Sequence, residues 1–533
     1  MAMAISMAII PVMVRIAPRI GMIDRPDFRK VHVKPIPRAG GVGIVLGSLV
    51  PIALWLPVDK LYGAYLSGAS VLLIFGVWDD IKELGHYAKF IGQFIATMLV
   101  VYYGHLYVTH LPFMGLETIP DTIGKPFTVF ALIGMINAIN HSDGLDGLAG
   151  GMSLLSLSCM AYLAFLVNGN VAVIIALSTI GGVFGFLRYN THPARVFMGD
   201  GGSQFLGFTL GFLAVLLVEK VNPTISPALP ALMLGLPIVD ILAVFAQRIY
   251  HGMNWFRASK NHIHHRLLQL GFDHYEAVVI IYSIQIMLVI SAIFLVYESD
   301  FLILSIYGGV CSLVFLFLLM AERNGWRAHR SSHASGLAKA ILNFKQNKLF
   351  MALPVWYVAT TIPLGFFLVS MWIDYVPRDI GIASAVLSFI LLFFIALGKS
   401  TNSTIVQAVS YVTGAFVIYL ETKYLGHRGS IMDGIEIAYF VGLASAVGIT
   451  IRYGNKSDFR TTPLDYLVIV IILFSSYLLN NLPEKENLGS MAVKLVILFY
   501  GCELLFSQMR KRWNSLNIST VATLAVLAVR ALT

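Results

Sequence analysis

Long apolar runs recur along the whole chain, and they constrain its fold more than any other feature. Hydrophobic residues make up 57% of the 533 residues and charged residues only 12%, about half of the roughly 25% that is usual in a soluble domain. Each run is about 17–24 residues long, which is enough for a helix to cross a hydrocarbon core about 30 Å thick. The sequence therefore predicts an all-α polytopic membrane protein.

The apolar runs fall into two groups, separated by a polar basic segment. The first group lies in residues 1–320 and contains about eleven spans, and the second lies in residues 349–533 and contains about seven. We predict two membrane domains joined by a linker at 321–348. The predicted spans are 2–18, 40–58, 62–78, 88–104, 125–140, 148–167, 171–187, 203–218, 226–249, 276–297 and 301–320, and then 349–373, 381–398, 404–420, 434–451, 463–480, 491–508 and 517–529.

Lysine and arginine residues lie mostly on one set of the joints between spans. That set holds the basic residues of 15–38, 82–89, 188–195, 248–266 and 321–348, whereas the opposite set in the first domain holds only Lys60, Lys125 and Lys220. Because basic residues are enriched in cytoplasmic loops, the first set is predicted to be cytosolic and the N-terminus to lie outside. The net charge of +9 then reports topology and attraction to anionic lipid, and gives no case for nucleic acid.

The cysteines and the first residues give no indication of disulfides or of a cleaved leader. Cys159, Cys311 and Cys502 all lie inside apolar runs, without the spacing of a disulfide framework or a metal site, so we expect them to face lipid or other helices. Residues 1–14 lack the basic leader and the small-residue cleavage site of a signal peptide, and we expect a short first span there.

Every conspicuous polar cluster of the first domain lies in the predicted cytosolic loops. Ionisable residues at membrane depth are costly and mark functional sites, so clusters that share one side of the membrane predict a single site at the cytosolic interface. The clusters are HVKPIPRAGG (32–41), WDDIKELGHYAK (78–89), NAINHSDGLDGLAGG (137–151), RYNTHPARVFMGDGGS (188–203) and RASKNHIHHRLLQLG (257–271).

Acidic and amide side chains in these loops suit a divalent cation. Asp79 and Asp80 are adjacent at the end of a span, and adjacent carboxylates repel each other unless they share a cation or a proton. A solvated loop start is the alternative. The next cluster repeats polar residues every three positions, which places them on one face of a helix end, although a cap and turn would explain one or two of them. Its members are Asn137, Asn140, Asp143 and Asp146.

A glycine-rich loop around Asp200 comes directly before another span. Backbone N–H groups at such a helix start can bind an anion while Asp200 holds a cation. A plain glycine turn with an aspartate cap is the competing interpretation. Phe197 lies in the same loop and is expected either to stack on a flat base or to anchor the loop in lipid.

Basic and histidine side chains in the remaining loops suit phosphate groups. His262, His264 and His265 stand at a spacing that places their imidazoles on different helical faces, with no cysteine or carboxylate at structural-zinc spacing, so a zinc site is disfavoured. The cationic neighbours include Arg266 and favour phosphate. Lys34 and Arg38 are either phosphate ligands or topology charges. Carboxylates for a hard cation, amides and cations for phosphate together indicate phosphoryl transfer with Mg²⁺.

The clusters as a set resemble one enzyme family. PIPRAGG, DDIKEL followed by KFxxQ, NAINHSDGLDGLAGG, PARVFMGDGGS and NHIHHRLLQLG occur in family order between residues 24 and 271. They are similar to the polyprenyl-phosphate N-acetylhexosamine-1-phosphate transferases, and the HIHHRLLQLG form resembles the branch that uses UDP-GlcNAc. The resemblance implies UDP-GlcNAc as donor, undecaprenyl phosphate as acceptor, UMP as leaving group and Mg²⁺ or Mn²⁺ as cofactor. It also implies a bacterial cytoplasmic membrane enzyme that initiates a lipid-linked cell-surface glycan such as lipopolysaccharide O-antigen or a cell-wall polymer.

The resemblance further implies roles for individual residues. The implied catalytic residues are Asp79, Asp80 and Asp200, and the implied metal ligands are Asp200 and Asp79. Asp240 falls where the family has a polar residue within a span. The implied substrate-binding residues are Lys34, Arg38, Lys89, Asn137, Asn140, Asp143, Asp146, Asn190, Arg195, Phe197, His262, His264, His265 and Arg266.

Some alternatives stay open at this stage. The same reaction with UDP-GalNAc, UDP-FucNAc or UDP-MurNAc-pentapeptide is one, and a transporter or flippase of a lipid-linked sugar is another. A transporter is expected to have midplane sites and inverted repeats, and the sequence shows no repeat. The second domain, 349–533, matches no ordinary member of the family. We expect it to dock a later glycan-assembly enzyme, to support a homodimer or to handle the lipid product.

Overall fold

The computed structural model describes residues 1–25, 35–57, 59–115, 117–250, 252, 261–328, 348–396, 404–424, 430–453, 462–480, 488–508 and 514–532. These residues are helical almost throughout, and eleven of their helices are long and apolar enough to cross a membrane, which confirms the all-α polytopic prediction. The chain divides into two compact units, Met1–Ser331 with Thr462–Leu467, and Ser332–Thr461 with Val468–Thr533. The division after Ser331 falls inside the predicted linker, of which 329–347 lie outside the described residues.

The helices of the first unit follow the predicted spans closely, because each apolar run buries part of its surface against its neighbours. They are α1 (Ala2–Ile20), α2 (Gly40–Trp55), α3 (Lys60–Lys82), α4 (His86–Met98), α5 (Asp121–Ser142), α6 (Leu148–Leu166), α7 (Asn170–Asn190), α8 (Gly199–Leu216), α9 (Leu229–Leu234), α10 (Leu236–Tyr250), α11 (Ile263–Gln269), α12 (His274–Phe294) and α13 (Asp300–Arg323). Helices α4 and α8 each continue into a π-helical turn, at Leu99–Tyr103 and Leu217–Val221.

The predicted span 226–249 is not one helix but two. Helix α9 ends and α10 begins around Gly235, whose φ of +59° belongs to the left-handed region that glycine adopts at little cost. Gln285 of α12 bonds both helix ends across the break, since its Oε1 accepts from the Leu236 N–H (3.0 Å) and its Nε2 donates to the Met233 carbonyl (3.4 Å). A break inside a membrane bundle is tolerated where another helix satisfies the freed backbone groups in this way.

Small residues bring three helices of the first unit into close contact at one end of the bundle. A Cβ atom placed on Gly76 of α3 would lie 2.2 Å from the Gly201 Cα atom of α8, and one on Gly41 of α2 would lie 2.3 Å from the Gly202 nitrogen. Helix α8 is the central element, because 94% of its spanning window is buried. Glycine contacts of this kind let helix backbones approach closely within a membrane. They bring the first turn of α8 against the last turn of α3.

The helices after the linker again follow the predicted spans, and all of them belong to the second unit except for residues 463–467 at the start of one helix, which cluster with the first unit. They are α14 (Lys348–Trp372), α15 (Arg378–Ala396), α16 (Thr404–Tyr424), α17 (Ser430–Tyr453), α18 (Pro463–Asn480), α19 (Leu488–Gln508) and α20 (Asn514–Arg530). Buried side chains such as Ile362, Phe366, Leu443 and Cys502 form the main apolar cluster of the second unit. The second unit therefore has a hydrophobic core of its own.

Candidate active site

A cavity of about 980 Å³ opens where the polar loops of the first unit meet. It is lined by residues from the short β-pair, the ends of α3, α5 and α7, and the starts of α4, α8 and α12. Most of the site residues predicted from sequence are among its lining residues, namely Arg38, Asp79, Asp80, Lys89, Asn140, Asp143, Asp146, Asn190, Arg195, Phe197, Asp200 and His265. Loops far apart in the sequence thus form one site.

Lys89 joins two of the predicted metal ligands. Its Nζ atom lies 2.7 Å from Asp79 Oδ2 and 2.5 Å from Asp200 Oδ2. The other oxygens of these carboxylates also have partners, since Asp200 Oδ1 accepts from Asn140 Nδ2 (2.9 Å) and Asp79 Oδ1 accepts from the Leu84 N–H (2.6 Å). An ammonium group therefore stands between two carboxylate oxygens, a position whose donor set also suits a hard divalent cation.

Asp80 caps helix α8. Its Oδ1 and Oδ2 atoms accept hydrogen bonds from the backbone N–H groups of Asp200 (2.9 Å) and Gly201 (3.3 Å), and the residue is 4% exposed. A carboxylate at a helix N-terminus satisfies free N–H groups and the positive end of the helix dipole. Gly199 has φ +71°, and a Cβ atom there would lie 2.5 Å from Asp80 Oδ2. The adjacent aspartates thus have different surroundings, and Asp80 holds the backbone that carries Asp200.

Asp143, just beyond the end of α5, has an unusual proton affinity. Burial, reinforced by the negative charges of Asp200 and Asp146, raises its pKa to about 7. Each of these causes disfavours the ionised carboxylate. Near neutral pH, Asp143 therefore exchanges a proton, unlike an ordinary aspartate.

Asp146 is hydrogen-bonded to two histidines that were not among the site residues predicted from sequence. Its Oδ2 atom accepts from the Ala194 N–H (3.0 Å) and lies 2.8 Å from His192 Nδ1, while its own N–H donates to His274 Nε2 (3.0 Å). The rings of His192 and His274 stack with centroids 4.1 Å apart. Both histidines line the cavity. His192 lies 46 and His274 lies 128 residues from Asp146 along the chain, so no local sequence pattern indicates these contacts.

The same three residues place potential metal-ligand atoms within 4.8 Å of one another. However, the His274 Nε2 lone pair already accepts the Asp146 N–H, and His192 Nδ1 already pairs with the Asp146 carboxylate. A metal needs a free nitrogen lone pair from each histidine. The contacts therefore describe two stacked imidazoles that are each hydrogen-bonded to Asp146.

Asn190 and Arg38 organise two edges of the cavity. Asn190 ties neighbouring loops together, because its Oδ1 accepts from the Gly147 N–H (2.8 Å) and its Nδ2 donates to the Val196 carbonyl (2.9 Å). Arg38 follows an antiparallel pair of strands, β1 (Ile23–Asp24) and β2 (Ile36–Pro37), and its Nη2 donates to Asp24 Oδ1. Asp24 was not selected from sequence, since nothing near it in the chain indicates a partner.

The structure does not bring the whole histidine segment to the cavity. His262 is 6% exposed and pairs with Asp240, its Nδ1 lying 2.8 Å from Asp240 Oδ2. His264 packs against Gly144, where a Cβ atom would lie 2.2 Å from His264 Nε2. Burial, with the neighbouring His265, lowers the pKa of His264 to about 3, so this imidazole is neutral at working pH. Of the three predicted histidines, His265 is the one that lines the cavity.

Two further predicted residues, Arg266 and Asn137, are not among the lining residues of the cavity. Arg266 forms a two-pronged ion pair with Glu322, at 2.7 and 2.9 Å. Asn137 donates to Gln93 Oε1 (2.9 Å) and to the Ile133 carbonyl (2.8 Å). Lys34 lies outside the described residues. Direct substrate contacts by these residues stay predictions.

Comparison with known proteins adds to this geometry. Residues 62–218 match the sequence profile of glycosyl transferase family 4, which includes Asp79, Lys89 and Asp200. A probable undecaprenyl-phosphate N-acetylglucosaminyl 1-phosphate transferase of Bacillus subtilis is 36% identical over 321 residues, 60% of this chain and 88% of the relative. The chain belongs to the polyprenyl-phosphate N-acetylhexosamine-1-phosphate transferase family.

Two further relatives of this transferase agree with that assignment. The undecaprenyl-phosphate alpha-N-acetylglucosaminyl 1-phosphate transferase of Escherichia coli K12 is 27% identical, with 50% of this chain and 74% of the relative covered. The decaprenyl-phosphate N-acetylglucosaminephosphotransferase of Mycobacterium tuberculosis is 33% identical, with the same coverage of 50% and 74%. The family resemblance and the enzyme class predicted from sequence are confirmed, and the transferase is a multi-pass membrane protein.

Proposed function

We propose that the transferase moves N-acetylglucosamine-1-phosphate from UDP-GlcNAc to undecaprenyl phosphate, releases UMP and so initiates a lipid-linked cell-surface glycan. The names of its relatives in Bacillus subtilis and Escherichia coli support this acceptor and this sugar. The observation that carries the proposal is the pair of carboxylates, Asp79 and Asp200, held on one Lys89 ammonium within a cavity large enough for a nucleotide sugar. Phosphoryl transfer depends mainly on the positioning of the reactants and on charge neutralisation. The two carboxylates and the Lys89 ammonium supply charged groups for both.

Mg²⁺ or Mn²⁺ is the cofactor that we propose. The residues fit a hard cation, because Asp79 and Asp200 offer carboxylate oxygens on either side of a position that already accommodates the Lys89 ammonium, and Asn140 orients Asp200. When bound, the cation would neutralise charge that develops on the leaving diphosphate oxygen. Lys89, released from one carboxylate, would then pair with a substrate phosphate.

Asp79 is proposed to position substrate and cation rather than to remove a proton. The second pKa of a phosphate monoester lies near about 6, so the acceptor is already mostly a dianion at neutral pH. Its oxygen can attack the sugar-bearing phosphorus directly, and the bond to the UMP oxygen breaks. Recovery of Asp79→Asn activity between about pH 6 and pH 8.5 would instead indicate that Asp79 acts as a base, because the phosphate loses its last proton over that range.

The enzyme is proposed to lie in a bacterial cytoplasmic membrane with this cavity facing the cytosol. The distribution of lysine and arginine supports that orientation, and the donor is a cytosolic nucleotide sugar. Single cysteines introduced at Lys82 and at Lys125 are labelled with a membrane-impermeant reagent, in intact spheroplasts and after the membrane is opened, to test this orientation. Cytosolic access only at position 82 is the expected result.

A transfer assay with the purified protein tests the proposed reaction. The protein is incubated with radiolabelled UDP-GlcNAc, undecaprenyl phosphate and Mg²⁺, with UDP-GalNAc, UDP-FucNAc and UDP-MurNAc-pentapeptide in parallel. A labelled lipid with stoichiometric UMP is expected from UDP-GlcNAc. Turnover with a different donor would reassign the sugar, and binding without any UMP release would contradict transfer and favour a transporter.

A further inference from the structure

Helix α11 is held in place by the last residues of α13 and the turn that follows them, well outside the conspicuous motifs. We infer that residues 322–328, hereafter the latch, position α11 at the cavity, and that Glu322 is a positioning residue for transfer. The effect on turnover rests on the proposed function, whereas the effect on α11 does not.

The first contact of the latch is an ion pair that is buried on one side. Arg266 of α11 is 5% exposed, and its Nε and Nη2 atoms donate to Glu322 Oε1 (2.7 Å) and Oε2 (2.9 Å). Its Nη1 atom is buried and has no hydrogen-bond partner among the described residues. Glu322 is therefore the group that neutralises this guanidinium, and removal of one partner of a buried pair leaves a costly uncompensated charge.

Two further contacts extend the latch past the end of α11. The Ala328 N–H donates to the Leu270 carbonyl (2.8 Å), which is one of the carbonyl groups that a helix end leaves without a helical partner. The Trp326 ring packs against Phe272, with centroids 5.8 Å apart, and against Phe317 at 6.1 Å. The latch thus contacts the middle of α11 and the turn that follows it.

The start of α11 is held separately, by Asp240 of α10. Asp240 Oδ1 accepts from the Ile263 N–H (2.9 Å), and Oδ2 lies 2.8 Å from His262 Nδ1. A helix of only two turns has little stability of its own, so α11 depends on these carboxylate anchors at its start and middle. Of the two anchors, Glu322 belongs to the latch.

The opposite side of α11 meets the active site. His265 lines the cavity, and His264 packs against Gly144 in the loop that also carries Asp143 and Asp146. A shift of α11 therefore moves His265 and releases the Gly144 loop at the same time.

Full-length variants separate a positioning role from a merely structural one. Glu322→Ala removes both hydrogen bonds, Glu322→Gln keeps one acceptor oxygen, and the exchange Arg266→Glu with Glu322→Arg restores opposite charges. Glu298→Gln, at an exposed glutamate that precedes α13, is the matched control. Hydrogen exchange of the amides of 263–270, the thermal midpoint, and kcat and KM for the donor are measured for each variant.

We expect Glu322→Ala to raise amide exchange in 263–270 and to lower kcat/KM, each by about tenfold or more, because a buried guanidinium is left unpaired. Glu322→Gln is expected to be intermediate, the variant with swapped charges to recover part of the loss, and Glu298→Gln to match the wild type.

Unchanged hydrogen exchange of the amides of 263–270 in Glu322→Ala would overturn the latch. A lower thermal midpoint with unchanged kcat/KM would overturn the positioning role. If Glu322→Ala does not fold, the same two criteria apply to Glu322→Gln. If the wild type releases no UMP with any donor, the proposed function fails while the exchange data still decide the latch.

Discussion

At the scale of single residues, the adjacent aspartates show how burial and hydrogen bonding separate two identical side chains. Asp79 lies on the Lys89 ammonium, and Asp80 accepts the backbone N–H groups at the start of α8. The sequence indicates that the pair matters, because adjacent carboxylates need a shared partner. It cannot assign the partners, since Asp200 is 120 residues away along the chain and only the folded helices bring it there.

Asp79→Asn and Asp80→Asn are therefore expected to fail in different ways. Asp80→Asn keeps only one acceptor oxygen for the N–H groups of Asp200 and Gly201, so one of these hydrogen bonds is lost at a cost of about 1–2 kcal/mol of stability, and activity falls because Asp200 loses part of its support. Asp79→Asn is expected to lower activity about a hundredfold or more, as loss of one preorganised electrostatic contact does, because Asp79 would no longer hold the proposed cation, and the thermal midpoint is expected to change less. Thermal unfolding and transfer rates of both variants check this, and equal stability losses would contradict the assignment.

Asp143 gives a prediction for pH. Its pKa is raised to about 7 in the folded protein, whereas an unfolded aspartate titrates near about 3.9. Between these values the folded state binds the extra proton, so this residue makes stability fall as pH rises, by at most about 1.4 kcal/mol per pH unit. In EDTA, Asp143→Asn is expected to flatten the decline of the thermal midpoint between about pH 4 and 7. A decline as steep as that of the wild type would contradict the raised pKa.

At the scale of elements, hydropathy predicts the helices well and their interruptions poorly. The long apolar runs matched helices such as α7 and α12 within a few residues, because length and apolarity alone define a span. The break at Gly235 was not predicted, although the sequence contains Gly235 and Pro237 at this point. It is stable because Gln285, from another helix, bonds the separated ends, and single-sequence patterns do not reveal such a partner.

Helix α11 illustrates the same limit for the site. Basic neighbours predicted phosphate binding for His262, His264, His265 and Arg266, and the structure places only His265 of these four among the described lining residues of the cavity. Asp240 and Glu322 bond two of them away from the cavity. The loops that form the site were predictable from charge and topology, whereas the orientation of each side chain depended on packing.

The contact between α3 and α8 yields a prediction at this scale. A Cβ atom on Gly76 would lie 2.2 Å from the Gly201 Cα atom, and backbone atoms cannot rotate away as a side chain can. Gly76→Ala is expected to separate the helices, to destabilise the protein by about 1–3 kcal/mol as overpacking does, and to lower transfer by moving Asp79 and Asp80 from Asp200. Gly134→Ala, where the added methyl group meets nothing within 4 Å, is the control and should match the wild type in thermal midpoint and rate. Wild-type behaviour of Gly76→Ala would contradict the close contact.

At the scale of the whole molecule, the catalytic machinery and the second unit are separable in the described residues. The cavity and its lining residues lie in the unit Met1–Ser331, and the second unit has its own apolar cluster around Phe366 and Leu443. The Bacillus subtilis relative aligns over 60% of this chain while 88% of that relative is covered. The relative is therefore shorter than this chain, and an enzyme of its length has no counterpart to a large part of this chain.

We therefore expect a chain that ends at Ser331 to retain transfer. Its kcat/KM for the donor should stay within about fivefold of the full-length enzyme, which is about 1 kcal/mol of transition-state stabilisation. Ending at 331 keeps the latch with α11, whereas ending at 320 removes Glu322 and Trp326 and is expected to lower activity well beyond that range. Because Thr462–Leu467 cluster with the first unit, a modest loss of thermal stability is expected in both truncations. Loss of turnover from the chain ending at 331, with its helices intact by circular dichroism, would show that the second unit takes part in transfer.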